Sequence, residues 1–255
     1  MSNPKHCIIA CVLAAQAALA SNTFTYQITT DTYLDSLNLT RNYGLYGSDK
    51  VVINNTGSSV CRTLFDLPTS LWSYPPGDIL SATVSFYVWN DNAAGYNVSL
   101  PPLTRAFTVG TGTGTAAPAD GATWLTYDGI NPWTTAGGDF DSANSVVGTR
   151  GPVGVNPNDS NGRFFTFDIT SLLANPTAEA ELQNYGAMLS IDFGQALPPN
   201  GQRFESFTSA NSATYSAPYL PSFEITVIPE PSSAILAIAG LAVLTCFRKK
   251  RPARR

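Results

Sequence analysis

Histidine is almost missing from this 255-residue chain. The one imidazole, His6, stands near the start, and residues 21–228 have none. A Ser-His-Asp or Cys-His nucleophilic site needs an imidazole, so neither can be built there. Cysteine is nearly as scarce. Cys7 and Cys11 lie in the first twenty residues and Cys246 in the last ten, which leaves Cys61 alone in between. That excludes an intramolecular disulfide and a Cys/His zinc site in residues 21–228. Lysine is reduced to Lys50 over the same stretch. Of the common hydrolytic and acid–base chemistries, paired carboxylates and proton abstraction by Tyr or Lys50 remain.

Positive charge is short as well, once its placement is considered. Six of the 14 cations stand at positions 248–255 and Lys5 near the start. Residues 21–228 hold seven cations against 17 carboxylates. So acidic a segment repels phosphate backbones, and nucleic acid is not an expected partner. Tight binding of polyanionic glycans is disfavoured too, unless the cations cluster.

The two ends differ from the middle. Lys5 precedes an apolar stretch, residues 7–19, and Ala18-Leu19-Ala20 has the small-x-small form of a signal-peptidase site. Residues 1–20 read as a secretory signal peptide cut after Ala20. Cys11 invites a lipoprotein reading, but Ile8-Ile9-Ala10 before it fits a lipidation box poorly. At the other end, Pro229-Glu230-Pro231 is followed by an apolar run, residues 234–247, and then by Arg248-Lys249-Lys250-Arg251 with Arg254 and Arg255. Cations directly behind an apolar run stay cytoplasmic, so the preceding chain is expected outside. Even counted from Ser232 the run has 16 residues, short of the roughly 20 that span a bilayer, and snorkelling Arg and Lys can cover the difference.

Pro-Glu-Pro, a short apolar helix and a basic end, in that order, resemble the PEP-CTERM sorting signal. The resemblance implies recognition by a membrane-embedded exosortase-type processing enzyme that cuts near Pro229-Glu230-Pro231. The alternative is a plain single-pass anchor.

Between the ends the pattern is β. Val84, Phe86 and Val88 alternate with polar neighbours. Phe165, Phe167 and Ile169 do so too, as do Leu189, Ile191 and Phe193, and Phe223, Ile225 and Val227. Period-two alternation in short runs bounded by Gly, Pro, Asn and Asp predicts half-buried strands. Further strands are expected at 24–29, 50–54, 60–67, 97–100, 105–109, 122–125 and 203–208. One helix is expected over 171–183, with Thr170 as N-cap and an interruption at Pro176. Segments 110–121 and 148–162 read as loops crossing the outer surface. About ten strands and one short helix predict an all-β fold, an antiparallel jelly-roll-like β-sandwich over residues 21–228. The signal peptide and the sorting segment, residues 229–255, flank it.

The exported part also resembles a family. Asp31-Thr32-Tyr33, then Asn42-Tyr43-Gly44, then Arg62-Thr63-Leu64-Phe65-Asp66-Leu67, are similar to the opening of DNRLRE-type domains, which are related to alginate-type carbohydrate-binding modules. The strand 82–88, Thr123-Trp124, Trp133 with Gly137-Gly138-Asp139, Phe167-Asp168-Ile169-Thr170, the run 204–209 and Pro218-Tyr219-Leu220 follow in the same order. The likeness spans most of residues 31–227. It implies a secreted β-sandwich, often an appended module and in some members glycan-binding.

Several side chains are candidates for chemistry. Trp133, with Tyr127 and Asp128 close before it, combines rings for stacking on sugar faces with a carboxylate for hydroxyls. The alternative is that Trp133 closes the end of the sandwich. Trp72 and Tyr74 form a second candidate glycan patch. Trp124 is expected in the core and Trp89 as a rim packing residue. Asp139, Asp141 and Asn144 in one segment, and Asn156, Asn158, Asp159 and Asn161 in another, can offer oxygens to a structural calcium, although neither matches the spaced calcium-loop pattern. Solvated turns explain both segments equally. Asp66 and Asp168 read as carboxylates on polar strand faces, and Cys61 as a buried, inert thiol.

Three functions fit these observations. The first is an exported, non-catalytic protein of the cell surface or extracellular matrix. The second is a carbohydrate-binding module on the same fold, with extracellular polysaccharide as partner. The third is a secreted polysaccharide-degrading enzyme.

Overall fold

The computed structural model describes residues 21–54, 59–91, 95–115, 120–156, 159, 161–191, 196 and 202–228, with no side-chain detail for Asn54, Gln202 and Phe204. The signal-peptide, sorting-motif and basic-tail residues, Ala18, Ala20, Pro229, Glu230, Pro231, Arg248, Lys249, Lys250 and Arg251, lie outside them, as do Phe193 and Asn158. Among the described residues no helix is long and apolar enough to cross a membrane.

The fold is mostly antiparallel β-sheet with few helices. In chain order the strands are β1 (Asn22–Gln27), β2 (Asp31–Asp35), β3 (Ser48–Asn54), β4 (Cys61–Phe65), β5 (Ile79–Asp91), β6 (Ser99–Leu100), β7 (Val146–Val147), β8 (Thr149–Arg150), β9 (Arg163–Asp168), β10 (Ala187–Leu189), β11 (Gln202–Thr208) and β12 (Ser222–Val227). Two α-helices, α1 (Thr170–Leu173) and α2 (Pro176–Tyr185), lie between β9 and β10.

The long strand β5 organises the sheet. One edge pairs with β12 through Ile79–Ser85 and then with β11 through Val88–Asp91, while the other edge takes β9. From β11 the ladder continues through β3 to β4, whose two edges carry β2 and β10. β4 and β5 are not hydrogen-bonded neighbours, yet Phe65 of β4 meets Phe86 of β5 with ring centroids 5.1 Å apart. The sheet therefore curls back over itself and encloses its core. Val84, Phe86, Val88, Phe165, Phe167, Phe207, Phe223 and Ile225 are all fully buried there, which matches the period-two sets read from sequence.

A second apolar cluster lies on the opposite face of β2, β4 and β10. Leu34, Leu64 and Met188 point that way and are covered by Leu103, Ala122 and Trp133. The cover is the long excursion between β6 and β7. Arg62 on β4 ties it down: its guanidinium donates to Gly137 O at 2.9 Å and lies 5.3 Å from the ring centres of Trp124 and Phe140.

The excursion is where expectation and structure part. Neither 105–109 nor 122–125 is a strand. Thr123 Oγ1 accepts from Leu125 N and Thr126 N at 3.2 and 3.1 Å, and this local turn replaces a ladder. β2, missed as a strand, is held by a five-residue ladder to β4. Segment 148–162 contributes β8, paired to β9. The helical stretch is two helices. Ile169, not Thr170, precedes α1, and Thr170 Oγ1 instead accepts from Ala82 N at 2.9 Å. Asn175 caps α2 by accepting from Thr177 N, and Pro176 sits at its first turn, where a missing N–H costs nothing. Cys61 is buried, as expected.

Candidate functional site

The aromatic residues chosen from sequence are used for packing. Trp133 is 5% exposed, and its Nε1 donates to Thr123 O at 2.9 Å. A ring so enclosed has no open face for a sugar. Tyr127 meets it edge-on at 5.8 Å and has the Arg105 guanidinium 4.9 Å from its centre. Asp128 forms a turn: one oxygen accepts from Ile130 N and Asn131 N, the other from Asn131 Nδ2. These bonds, the Asn131 side chain first, hold its carboxyl below the usual range. Trp72 lies in a short 3₁₀ turn, Thr69–Ser73, with Tyr74 directly behind. Both are half-buried against the main core, whereas Tyr127 and Trp133 belong to the second cluster. Tyr74 also stacks on Phe24 at 5.9 Å. The two proposed glycan patches are thus not one surface.

Among the calcium candidates, side-chain oxygens of Asp139, Asp141, Asn144 and Asp159 accept hydrogen bonds. Asp139 accepts from Thr134 N, Thr135 N and Arg105 Nε at 2.8–2.9 Å. Desolvation pushes its carboxyl up, but these bonds together bring it below the ordinary value. Asp141 accepts from Ala143 N and from Asn144 Nδ2, and Asn144 Oδ1 accepts from Asn175 Nδ2. Asp159 accepts from Asn161 N, Gly162 N and Tyr87 OH. In each segment these bonds from neighbouring donors shape a turn. Asp168 likewise accepts from Thr170 N at 3.0 Å, ahead of α1.

The fold does bring carboxyl groups together, at positions sequence reasoning passed over. Asp31 and Asp49 are each 1% exposed. Asp31 accepts from Ser209 Oγ at 2.8 Å and from Ala210 N at 2.7 Å. Burial pushes the Asp49 carboxyl well up, and the Asp31 charge beside it adds to that; burial raises Asp31 as well, against the bonds from Ala210 and Ser209. A second cluster holds Arg150 Nη2 2.7 Å from Glu205 and Arg163 Nε 3.2 Å from Asp91. Burial, with Arg150 opposing and Asp91 adding, raises Glu205 to about 8. Asp31, Asp49 and Glu205 are sealed inside, where no substrate bond can reach them.

These groups make stability depend on pH with a definite sign. Above the ordinary carboxylate value of about 4, the unfolded chain has lost protons that folded Asp49 and Glu205 retain, so stability falls as pH rises. Each group contributes up to about 1.4 kcal/mol per pH unit within its window. Urea unfolding of the wild type at pH 5 to 8 should show this decline, and Asp49→Asn should flatten it. An unchanged slope in Asp49→Asn would remove the pair as its source.

A concave feature lies elsewhere. It is a groove of about 550 Å³ built from three separated segments: residues 45–48 before and at the start of β3, Trp89 on β5, and residues 211–215 between β11 and β12. Tyr46 is 36% exposed, and its ring stands edge-on to Tyr33 and Tyr43 at 5.9 Å each. Tyr215 leans on the buried Tyr87 at 5.3 Å. The two loops are fixed to each other by Asn211 Nδ2, which donates to Gly44 O at 2.9 Å. Ser212 Oγ accepts from Thr214 N and Tyr215 N, which sets the turn. The Asp31 contacts to Ser209 and Ala210 hold that turn from beneath.

No family model matches the chain, and no curated protein matches it. The groove therefore has to be judged on its own chemistry. Sequence reasoning missed it because its aromatic members are scattered over about 170 positions. The available signal was an aromatic among small polar residues, twice over, in Leu45-Tyr46-Gly47-Ser48 and Asn211-Ser212-Ala213-Thr214-Tyr215.

Proposed function

We propose that the chain is an exported, non-catalytic protein of the cell surface or extracellular matrix. Its body is a jelly-roll-like β-sandwich of the DNRLRE type, delivered by a PEP-CTERM signal. The observation that carries this reading is the tail: Pro229-Glu230-Pro231, an uncharged apolar run and six cations, in that order. The fold is compatible with processing at both ends. β1 and β12 are antiparallel partners with Asn22 opposite Val227, so the chain enters and leaves on adjacent strands. A non-catalytic role is supported by the sealing of Asp31, Asp49 and Glu205 from solvent.

Fractionating a host that carries an exosortase-type enzyme tests the proposal. The wild-type protein should lose both ends and appear outside the cell. Replacing Pro229, Glu230 and Pro231 by alanine should leave it uncut in the membrane fraction. Intact protein in the cytosol would refute the reading.

A second reading, carbohydrate binding by the same body, is favoured by one observation: the open groove with Tyr46, Trp89 and Tyr215 on its walls.

A further inference from the structure

We infer that this groove is a subsite for a short stretch of neutral glycan, a ligand choice that rests on the carbohydrate-binding reading above. Its volume, about 550 Å³, lies in the roughly 300–1,000 Å³ range of small-ligand sites. The lining chemistry sets the class. Tyr46, Trp89 and Tyr215 provide ring faces and edges of the kind that pack on the C–H faces of pyranose rings. Between them stand Ser48, Asn211 and Thr214, uncharged groups that both donate and accept hydrogen bonds, as sugar hydroxyls do. Among the described residues no charged side chain lines the groove. Lys50, whose ammonium lies against the Tyr33 and Tyr46 rings at 5.8 and 5.9 Å, is not among the lining residues.

Charge then decides between neutral and acidic polymers. A uronate chain brings a carboxylate with every residue, and each needs a cation or several N–H donors to replace its water. No guanidinium or ammonium stands among the described lining residues, the Lys50 ammonium being held against the Tyr33 and Tyr46 rings, and residues 21–228 carry ten more carboxylates than cations. A neutral hexose or pentose polymer meets neither penalty. The site is also held in shape before binding. The Asn211 bond to Gly44 and the Asp31 bonds to Ser209 and Ala210 fix both loops, so little ordering cost falls on the ligand.

Affinity electrophoresis of the exported protein in gels containing neutral β-glucan, xylan or galactomannan, with alginate as the acidic arm, reads this directly. At least one neutral polymer should retard the wild type, and alginate should not. Trp89→Ala and Tyr215→Ala should each lower the apparent affinity by about tenfold or more. Thr214→Glu, a substitution at an exposed turn, should do the same by placing a charge in the groove without disturbing the core. Unfolding curves of each variant confirm that it is folded. Retardation that survives all three changes would place glycan binding elsewhere, leaving the carbohydrate reading intact and this site refuted. A preference for alginate would refute the neutral class. No retardation by any polymer would sink both readings.

Discussion

Phe86→Ala should lower the unfolding free energy by about 3–5 kcal/mol, the range for truncating a fully buried aromatic. Phe86 lies on β5, which pairs with β9 on one edge and with β11 and β12 on the other. Its ring touches both curled parts of the sheet, edge-on to Phe65 at 5.1 Å and to Phe207 at 5.7 Å. Removing it leaves a void whose walls belong to strands fixed by ladders, so the space cannot close. A domain of this size is typically stable by only about 5–15 kcal/mol, so the loss is a large share. Urea titration should show a lower midpoint with an unchanged slope. Phe86→Leu, which keeps part of the volume, should lose clearly less. Equal effects of the two substitutions would contradict this packing account.

Asn42→Ala should cost about 3 kcal/mol by a different route. Asn42 is fully buried. Its Nδ2 donates to Val109 O at 2.6 Å and Ala122 O at 2.9 Å, while its Oδ1 accepts from Gly44 N at 3.1 Å and Gly112 N at 2.8 Å. One side chain thus serves four backbone groups, one two residues away and three within residues 109–122. Each buried group left unpaired costs about 1–3 kcal/mol, with local rearrangement recovering part of the total. The backbone contact is tight: a Cβ on Gly44 would collide with Val109 O, and one on Gly112 with the Asn42 carbonyl. Asn42→Asp separates the hydrogen-bond account from a shape account. It keeps the shape but turns two donors toward carbonyls into an acceptor, and should be no milder than alanine. Hydrogen exchange should accelerate first at Gly112. A near-neutral Asn42→Asp would contradict the assignment of these bonds.

Asn42 also shows how far the sequence could be read. Asn42-Tyr43-Gly44 stands out as a motif, and 110–121 stands out as a loop, but nothing local connects them. The connection is a set of side-chain bonds across about 70–80 positions. Trp133 illustrates the converse. Its neighbours Asn131 and Pro132 mark it as outside any strand, which is correct, yet being outside a strand does not make it exposed. It is buried because the excursion folds down onto Leu34, Leu64 and Met188. β2 also escaped notice: Asp31-Thr32-Tyr33-Leu34-Asp35 is wholly buried, yet carboxylates stand at both its ends, so no apolar face marks it in sequence.

What the sequence determined by itself is whatever depends on neighbours along the chain. Period-two alternation in β5, β9 and β12 settled which side chains share the core, and the lack of imidazole and of paired thiols excluded whole chemistries. Only the tertiary structure decided which aromatics stay open, that Asp31 meets Asp49, and that Tyr46, Trp89 and Tyr215 line one groove. The physical reason is that a strand's two faces are distinguishable locally. What covers each face is set by segments remote in sequence, and burial, proton affinity and ligand access all follow from that cover.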